Sequence, residues 1–438
     1  MVRADAEGRF DMTGLLYSFL MWLAQPLLRR KLVRRGAQEP GYLQGIEERF
    51  GRYDQIAPAV DGNTVWLHAV SLGETRAAAQ LVTALRTRWP GIRLLLTHGT
   101  ATGRMEGQKL LQAGDLQCWQ PWDTRGATAR FIEHFRPRIG ILMETEIWPN
   151  LAAASSQAGV PLVLANARLS EKSLRWSRRL AWLARPAYRS LAAVWAQTQD
   201  DAMRLSAMGA PVQGVLGNLK FDATPDAAQL SRGQSWHARI GRPVVMFASS
   251  RDGEEVALLQ ALAAPDLAQA ANAVQWLVVP RHPQRFDEVA ALMTQQGFAV
   301  SRRSQWTGGP PPCTLDKSPI WVGDTLGEMA LYYALADVAL LGGSFEPLGG
   351  QNLIEAAACS CPVVMGPHTF NFAEAAELAL AAGAAQRVVN MKEAVSAASA
   401  LACDAQRLPA ARLAADTFAQ AHQGASERLA TAIVRLLQ

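Results

Sequence analysis

The chain reads as an α/β protein of two doubly wound domains facing each other across a cleft, and three observations lead there. Short apolar runs, suited to buried strands, alternate with helix-length amphipathic segments, the rhythm of a parallel sheet with helices on both faces. That rhythm stops in the turn-rich stretch GNLKFDATPD and restarts after it. The 438 residues exceed one ordinary core, while a hydrophobic share of 49% is ample for two. The resulting division is a membrane anchor with its basic flank over residues 1–35, a first α/β domain over 36–222 and a second over 223–438.

Taken in order, residues 12–28 are almost wholly apolar. A helix of that length rises about 25 Å, short of the roughly 30 Å core of a bilayer. Arg29, Arg30, Lys31, Arg34 and Arg35 follow it. A secretory leader carries its charges before the apolar stretch, so this order leaves the remaining chain on the cytoplasmic side. Two readings fit: a short anchor or interfacial helix, and an apolar helix packed on the first domain. TVWLHAV opens the first sheet, a helix is expected over residues 71–89, and IRLLLTHG, RIGILMET, PLVLANA and LAAVWAQT are further buried strands. In the second half PVVMFASS, VQWLVVP, SPIWVGD, VALLGG and CPVVMGP repeat the pattern. Residues 308–312 read as a surface loop, and the Ala-rich tail from residue 392 as helical.

Ligands of doubly wound sheets lie beyond the carboxyl ends of the strands. SLGE, ETE, NAR, PRHP, GDTLGE and GGS each follow a strand, so the charged and glycine motifs cluster at those ends. Residues 342–372, GGSFEPLGGQNLIEAAACSCPVVMGPHTFNF, give strand end, glycine loop, helix and strand. Glycines let backbone N–H groups approach an oxyanion, and the helix opened by Asn352, Leu353, Ile354 and Glu355 aims its positive end at the same place. Glu355 adds an acceptor for ribose hydroxyls. The same glycines also fit a tight packing turn. Arg281, after LVVP, presents a cation where a phosphate would lie, and His282 before Pro283 fits a turn-shaping role equally. Leu326, Gly327 and Glu328 couple a glycine turn to a helix start whose backbone suits a nucleobase edge.

In the first half Glu74 stands three positions after Ser71. That is the spacing of a capping box, and equally the place for a general base at the mouth of the cleft. Glu144 and Glu146 flank Thr145 after a buried strand and share one face, where they can orient a substrate or a base. Paired carboxylates also bind metals, but no third ligand joins them and the chain has no Asp-x-Asp, so neither metal nor cofactor is expected. Lys220, in GNLKF, reads as a cation over the cleft or as a solvated surface lysine.

The net charge of +5 is local: beyond the five cations at residues 29–35, residues 168–189 hold seven basic side chains against Glu171 alone. Such clusters suit an anionic surface or substrate. No zinc-finger, RRM or helix-turn-helix signature accompanies them, so nucleic acid is not expected. Cys118, Cys313, Cys359, Cys361 and Cys403 are odd in number and lack CxxC spacing, which fits reduced core residues of a cytoplasmic protein.

WLHAVSLGET, METEIWPNL, ANARLS, GNLKFD, VPRHPQRF, VGDTLGEM, GGSFEPLGGQNLIEA and MGPHTFNF, in this order, resemble the blocks of the 3-deoxy-D-manno-octulosonic acid (Kdo) transferase family of lipopolysaccharide synthesis. The resemblance runs from the N-terminal apolar helix to about residue 380. It implies a GT-B fold of two Rossmann-like domains, CMP-Kdo as donor, lipid IVA as acceptor, and attachment to the anionic cytoplasmic face of the inner membrane. It implies that Glu74 is the proton acceptor and that Glu144 and Lys220 stabilise the transition state. It further implies CMP contacts from Pro280 and Arg281, from Leu326, Gly327 and Glu328, and from Asn352, Leu353, Ile354 and Glu355. Two places depart from the family pattern: Ser250, Arg251 and Asp252 stand where members often show Ser-Thr-His, and Gln351 stands where they often show His.

The implied chemistry agrees with the residues. CMP leaves as a monophosphate, so Lys220, Arg281 and a helix N-terminus can stabilise it without a metal. Two rival readings are a GT-B-fold nucleotide-sugar epimerase, which needs no anchor, and a non-catalytic membrane-peripheral binding protein, which needs no Glu74 beside a phosphate loop.

Overall fold

The computed structural model describes residues 4–58, 62–222, 224–312 and 318–438, with side chains from residue 14 onward; Cys313 lies outside the described residues. The chain divides into two compact units, Met1–Asp222 with Gly424–Gln438, and Ala223–Gln423. The first contains β1 (Thr64–His68), β2 (Arg93–His98), β3 (Leu116–Trp119), β4 (Ile139–Met143), β5 (Leu162–Ala167), β6 (Ala193–Ala196) and β7 (Val212–Val215). Their order across the sheet is β3-β2-β1-β4-β5-β6-β7. The second contains β8 (Val244–Ser250), β9 (Gln275–Pro280), β10 (Val300–Arg302), β11 (Ile320–Val322), β12 (Val338–Leu341), β13 (Val363–Met365) and β14 (Ala385–Arg387), ordered β10-β11-β9-β8-β12-β13-β14. Every pairing is parallel.

Ten of these strands coincide with the apolar runs read from the sequence. The other four, β3, β7, β10 and β14, are the four sheet edges. Each is three or four residues long and partly exposed, so none carries the continuous apolar run of a strand covered on both faces. Inner strands such as β1 are buried throughout: Trp66 packs with Phe131 and Phe135 on one side, while Val65 and Leu67 pack with Leu81 and Leu85 on the other.

The C-terminal helix differs from the expected division. Ala425–Leu436 belongs to the first unit, where Leu429 and Ile433 join the cluster of Leu81 and Leu85. Asp222 fixes its start by accepting the N–H groups of Gly424 at 2.6 Å and Ala425 at 3.2 Å. A carboxylate there satisfies helix donors that would otherwise be orphaned. The second unit therefore ends at Gln423 rather than at residue 438.

Residues 12–28 do not form one helix. Ala4–Leu23 stops before Ala24, and Gln25–Gln38 begins with Pro26 in its first turn, where the missing N–H is harmless. Met12 lies in the first helix, its side chain outside those described. One side of this helix is held by polar contacts: Tyr17 donates to Asp123 at 2.9 Å, and Ser18 Oγ lies 2.7 Å from Asn150 Oδ1. Leu16, Phe19, Leu20, Trp22, Leu23 and Leu27 remain exposed. Among the described residues no helix is long and apolar enough to cross a membrane.

Candidate active site

Strand order reverses between β1 and β4, and the segments leaving their carboxyl ends bring Glu74, Glu144 and Glu146 into one electrostatic neighbourhood. Ser71 caps the helix Leu72–Arg88. Its Oγ accepts from the N–H of Glu74 at 3.4 Å and donates to Glu74 Oε1 at 3.1 Å, while Val70 N–H donates to Glu74 Oε2 at 2.8 Å. Ser71 therefore caps the helix as its spacing suggested, while the Glu74 carboxyl reaches one residue beyond the cap, to Val70, and is held partly buried in one orientation. Burial, reinforced by the charges of Glu144 and Glu146, pushes the Glu74 pKa up to about 7. A place in the helix cap and readiness to take a proton coexist at this residue.

Glu144 adopts φ +56°, a left-handed conformation that costs a non-glycine residue energy, and two hydrogen bonds hold it there. Its N–H donates to Ala165 O, and its carbonyl accepts from Arg168 N–H, each at 3.1 Å. Lys220 Nζ lies 3.3 Å from Glu144 Oε1. The lysine is thus an ion-pair partner at the end of β4 rather than a solvated surface residue. Glu146 accepts from the Trp148 indole at 2.8 Å, and burial raises its pKa.

The segment carrying Lys220 is fixed by residues that the sequence did not single out. Asn166, at φ +52° in β5, accepts from Leu219 N–H at 3.0 Å through its side chain and from Gln197 Nε2 at 2.9 Å through its carbonyl. Gln197 in turn accepts from Asn218 Nδ2 at 3.1 Å, and Asn218 Oδ1 accepts from Lys220 N–H at 3.0 Å. ANAR and GNLKF were both visible as motifs; their mutual contact was not.

In the second unit the order reverses between β8 and β12. The glycine loop after β12 uses many of its own donors. Gly343 N–H goes to the buried Glu254 at 2.7 Å, Gly350 N–H to Gly343 O at 2.7 Å, and Gln351 N–H to Gly342 O at 3.0 Å. Gly349, at φ +89°, has Phe370 and Asn371 so close that an added Cβ would lie 2.5 Å from each. These glycines shape a packed turn. What the loop offers a ligand lies just beyond: Asn352 caps Ile354 N–H at 3.1 Å and donates to Glu355 Oε1 at 3.1 Å, fixing that carboxylate. Leu353 and Ile354 have buried side chains, so they present only backbone.

Arg281 and Pro280 end β9. Pro280 is buried, while Arg281 is exposed and donates from Nε to Gln351 Oε1 at 3.1 Å, joining the end of β9 to the glycine loop. Burial, then the charges of Arg251, Arg281 and Arg285, lower the His282 pKa. Such a concentration of positive charge suits an anion. Past β11, Gly327 takes φ +79° and its carbonyl accepts from Gln229 Nε2 at 2.9 Å. Leu326 is 74% exposed, an unburied apolar platform, while Glu328 pairs with Arg303 at 2.9 Å.

Residues 44–223 match the family model described as 3-Deoxy-D-manno-octulosonic-acid transferase (kdotransferase). A 3-deoxy-D-manno-octulosonic acid transferase of Bordetella pertussis is 48% identical over 391 residues, 88% of this chain and 90% of that protein. One from Haemophilus influenzae is 32% identical over 82% of this chain and 83% of its own length. Among solved structures, a glycosyltransferase from Rickettsia africae superposes with a TM-score of 0.56 at 13% identity, covering 86% of this chain and 99% of that one, so the fold is GT-B. With its motifs in family order and the Bordetella protein related along nearly its whole length, this chain belongs to the 3-deoxy-D-manno-octulosonic acid transferase family.

Proposed function

We propose that the protein transfers Kdo from CMP-Kdo to lipid IVA in lipopolysaccharide synthesis, without a metal, at the cytoplasmic face of the inner membrane. The observation that carries this reading is Glu74: a partly buried carboxyl at about pKa 7, oriented by Val70 and Ser71, beside the Glu144–Lys220 pair. In the transfer an acceptor hydroxyl forms a bond to the anomeric carbon of Kdo, the bond from that carbon to the phosphate oxygen breaks, and Glu74 takes the hydroxyl proton. Lys220, held near Glu144, stabilises negative charge as it develops.

The second unit holds the donor. Arg281 and its neighbouring cations meet the phosphate, Glu355 takes ribose hydroxyls, the backbone of Asn352, Leu353 and Ile354 and the carbonyl of Pro280 line the nucleotide, and Leu326, Gly327 and Glu328 flank the base. CMP carries away the electron pair of the broken bond as a phosphate monoester, whose charge these cations offset. The first unit takes the acceptor. The exposed apolar face of the N-terminal helix, with Trp176 and Trp182 exposed on the basic helices Glu171–Arg179 and Ala181–Arg189 and Leu180 exposed between them, supports contact with an anionic membrane surface.

Release of CMP from CMP-Kdo, measured with and without lipid IVA, tests the reading. Transfer predicts release that depends on the acceptor and yields Kdo-modified lipid. Release indifferent to lipid IVA points to epimerase-like chemistry, and no release under any condition points to a binding protein.

A further inference from the structure

Arg49, in the short helical segment Ile46–Phe50, is only 3% exposed, and no carboxylate among the described residues lies within ion-pair reach of it. One terminal nitrogen donates to Gly99 O at 3.1 Å, its Nε–H has no partner, and the guanidinium lies 3.9 Å from the centre of the Trp119 ring. The adjacent Glu48 is already engaged, by Arg104 at 2.9 Å and by Trp119 N–H at 2.8 Å. Burial above all pushes the Arg49 pKa down to about 10, with Arg104 and Arg35 adding to it and Tyr42 and Glu48 only partly offsetting it. Buried charges are ordinarily paired, so an unpaired cation at this depth carries a penalty that an anion would relieve.

A second observation points the same way. Gln120, 6% exposed, has neither amide atom partnered, and the buried Trp122 Nε1–H is likewise without an acceptor. Both follow β3, and Trp122 adjoins Arg49: its N–H donates to Arg49 O at 2.7 Å and the guanidinium lies 5.6 Å from its ring centre, while Gln120 N–H donates to His98 O at 3.2 Å, one residue before the Gly99 carbonyl that Arg49 binds. Arg49, Gln120 and Trp122 thus all stand at the carboxyl ends of β2 and β3, each with a buried polar atom left without a partner. The same wall leads to Glu74, since Gly99 donates its N–H to Val70 O at 3.1 Å and Val70 N–H donates to Glu74 at 2.8 Å.

We infer that Arg49, Gln120 and Trp122 form an oxyanion subsite of the first unit that takes a phosphate monoester of the acceptor. The inference rests on the proposed acceptor, lipid IVA, a bisphosphorylated glycolipid, being bound by that unit. Three kinds of N–H donor meet the terminal phosphate oxygens, and the Gln120 carbonyl suits an adjacent sugar hydroxyl. The carboxylate of the donor sugar is the other oxyanion within this chemistry, and the experiment separates the two.

Full-length protein is assayed with the bisphosphorylated acceptor and with the two analogues that each lack one phosphate. Arg49→Gln is expected to raise KM for the bisphosphorylated acceptor about 10- to 100-fold, the loss of charge-assisted hydrogen bonds. Against one of the two monophosphorylated analogues the variant and the wild type coincide, and CMP-Kdo affinity is unchanged. Trp122→Phe removes the indole N–H while keeping an aromatic ring, so it tests the subsite with the packing conserved; its KM rises several-fold at an unchanged melting temperature. Inorganic phosphate quenches tryptophan fluorescence in the wild type and not in Arg49→Gln. Losses of equal size with every acceptor overturn the inference, and so does a changed CMP-Kdo affinity, which assigns the site to the donor carboxylate. Arg49-dependent phosphate binding in a chain that modifies no phosphorylated glycolipid keeps the subsite and removes the acceptor reading. Unimpaired transfer to the bisphosphorylated acceptor by Arg49→Gln does the reverse.

Discussion

Glu74→Gln separates the two jobs this residue holds. Ser71 Oγ still accepts the N–H of residue 74, and a glutamine carbonyl oxygen can accept from Val70 N–H as the carboxylate does, so the helix start and the loop from Val70 survive the change. What disappears is the proton acceptor. Turnover should fall by about a hundredfold or more while donor affinity stays put. The structure adds a stability signature of defined sign. Glu74 sits at about 7 rather than the ordinary 4.5, so the folded protein holds this proton more tightly than the unfolded chain. Stability is therefore greatest below the lower value and is lost as pH rises through the higher one, by on the order of 3 kcal/mol for a shift of this size. Glutamine never ionises, so the variant should gain on the wild type between pH 4.5 and 7 and keep that lead above it, as denaturant titrations near pH 5 and pH 8 will read. Wild-type turnover should rise about tenfold per pH unit below about 7 and level off above. A glutamine variant with near wild-type turnover, or a wild-type rate flat across that range, refutes the assignment.

Excess EDTA should leave transfer intact, because the departing monophosphate has protein cations to meet it; a loss restored by Mg²⁺ or Mn²⁺ contradicts that site. Replacing Leu16, Phe19, Leu20 and Leu23 by Ser removes exposed apolar area without touching Tyr17 or Ser18, so anionic-vesicle binding should weaken while transfer to detergent-dispersed acceptor persists. Unchanged vesicle binding moves the membrane contact elsewhere. Glu355→Ala should lose hydrogen bonds worth about 1.5–3 kcal/mol and weaken CMP roughly 10- to 100-fold, and Arg281→Ala should weaken it too, with acceptor binding little altered. Titrating CMP and acceptor separately decides this: weakened acceptor with unchanged CMP reverses the roles of the two units.

Inner strands and the motifs at their ends were legible because local pattern carries them. TVWLH is apolar or buried at every position, and Ser71 and Glu74 announce a helix start by spacing alone. Edge strands were not, since β7 alternates between exposed and partly buried residues and β10 and β14 are three residues long. The supports of the site were hidden for a different reason. Asn166, Gln197 and Asn218 act through hydrogen bonds between residues tens of positions apart, and no periodicity links them. Asp222 reaches across about two hundred residues to the C-terminal helix, which is why the tail looked like part of the domain it follows in sequence. The break at Ala24 was not read, since residues 12–28 look like one helix by their apolar pattern, although Pro26 cannot sit inside one without loss of a hydrogen bond.

The two departures from the family pattern acquire a physical sense in the second unit. Gln351 stands where members often show His, and its amide oxygen accepts from Arg281 Nε at 3.1 Å. A neutral imidazole can accept in the same way, but a protonated one would repel the guanidinium. His282 illustrates the pressure: burial and the charges of Arg251, Arg281 and Arg285 already lower its pKa. Amid those arginines, an imidazole would add positive charge only below neutrality. The other departure brings a guanidinium, that of Arg251, to the same region. The backbone N–H of Arg251 donates to Glu254 Oε2 at 2.9 Å, the same carboxylate that receives Gly343 N–H from the glycine loop. Gln351 thus gives Arg281 a neutral acceptor, while at the other departure Arg251 adds a cation and Asp252, the residue standing where members often show His, offsets Arg285 at 3.4 Å.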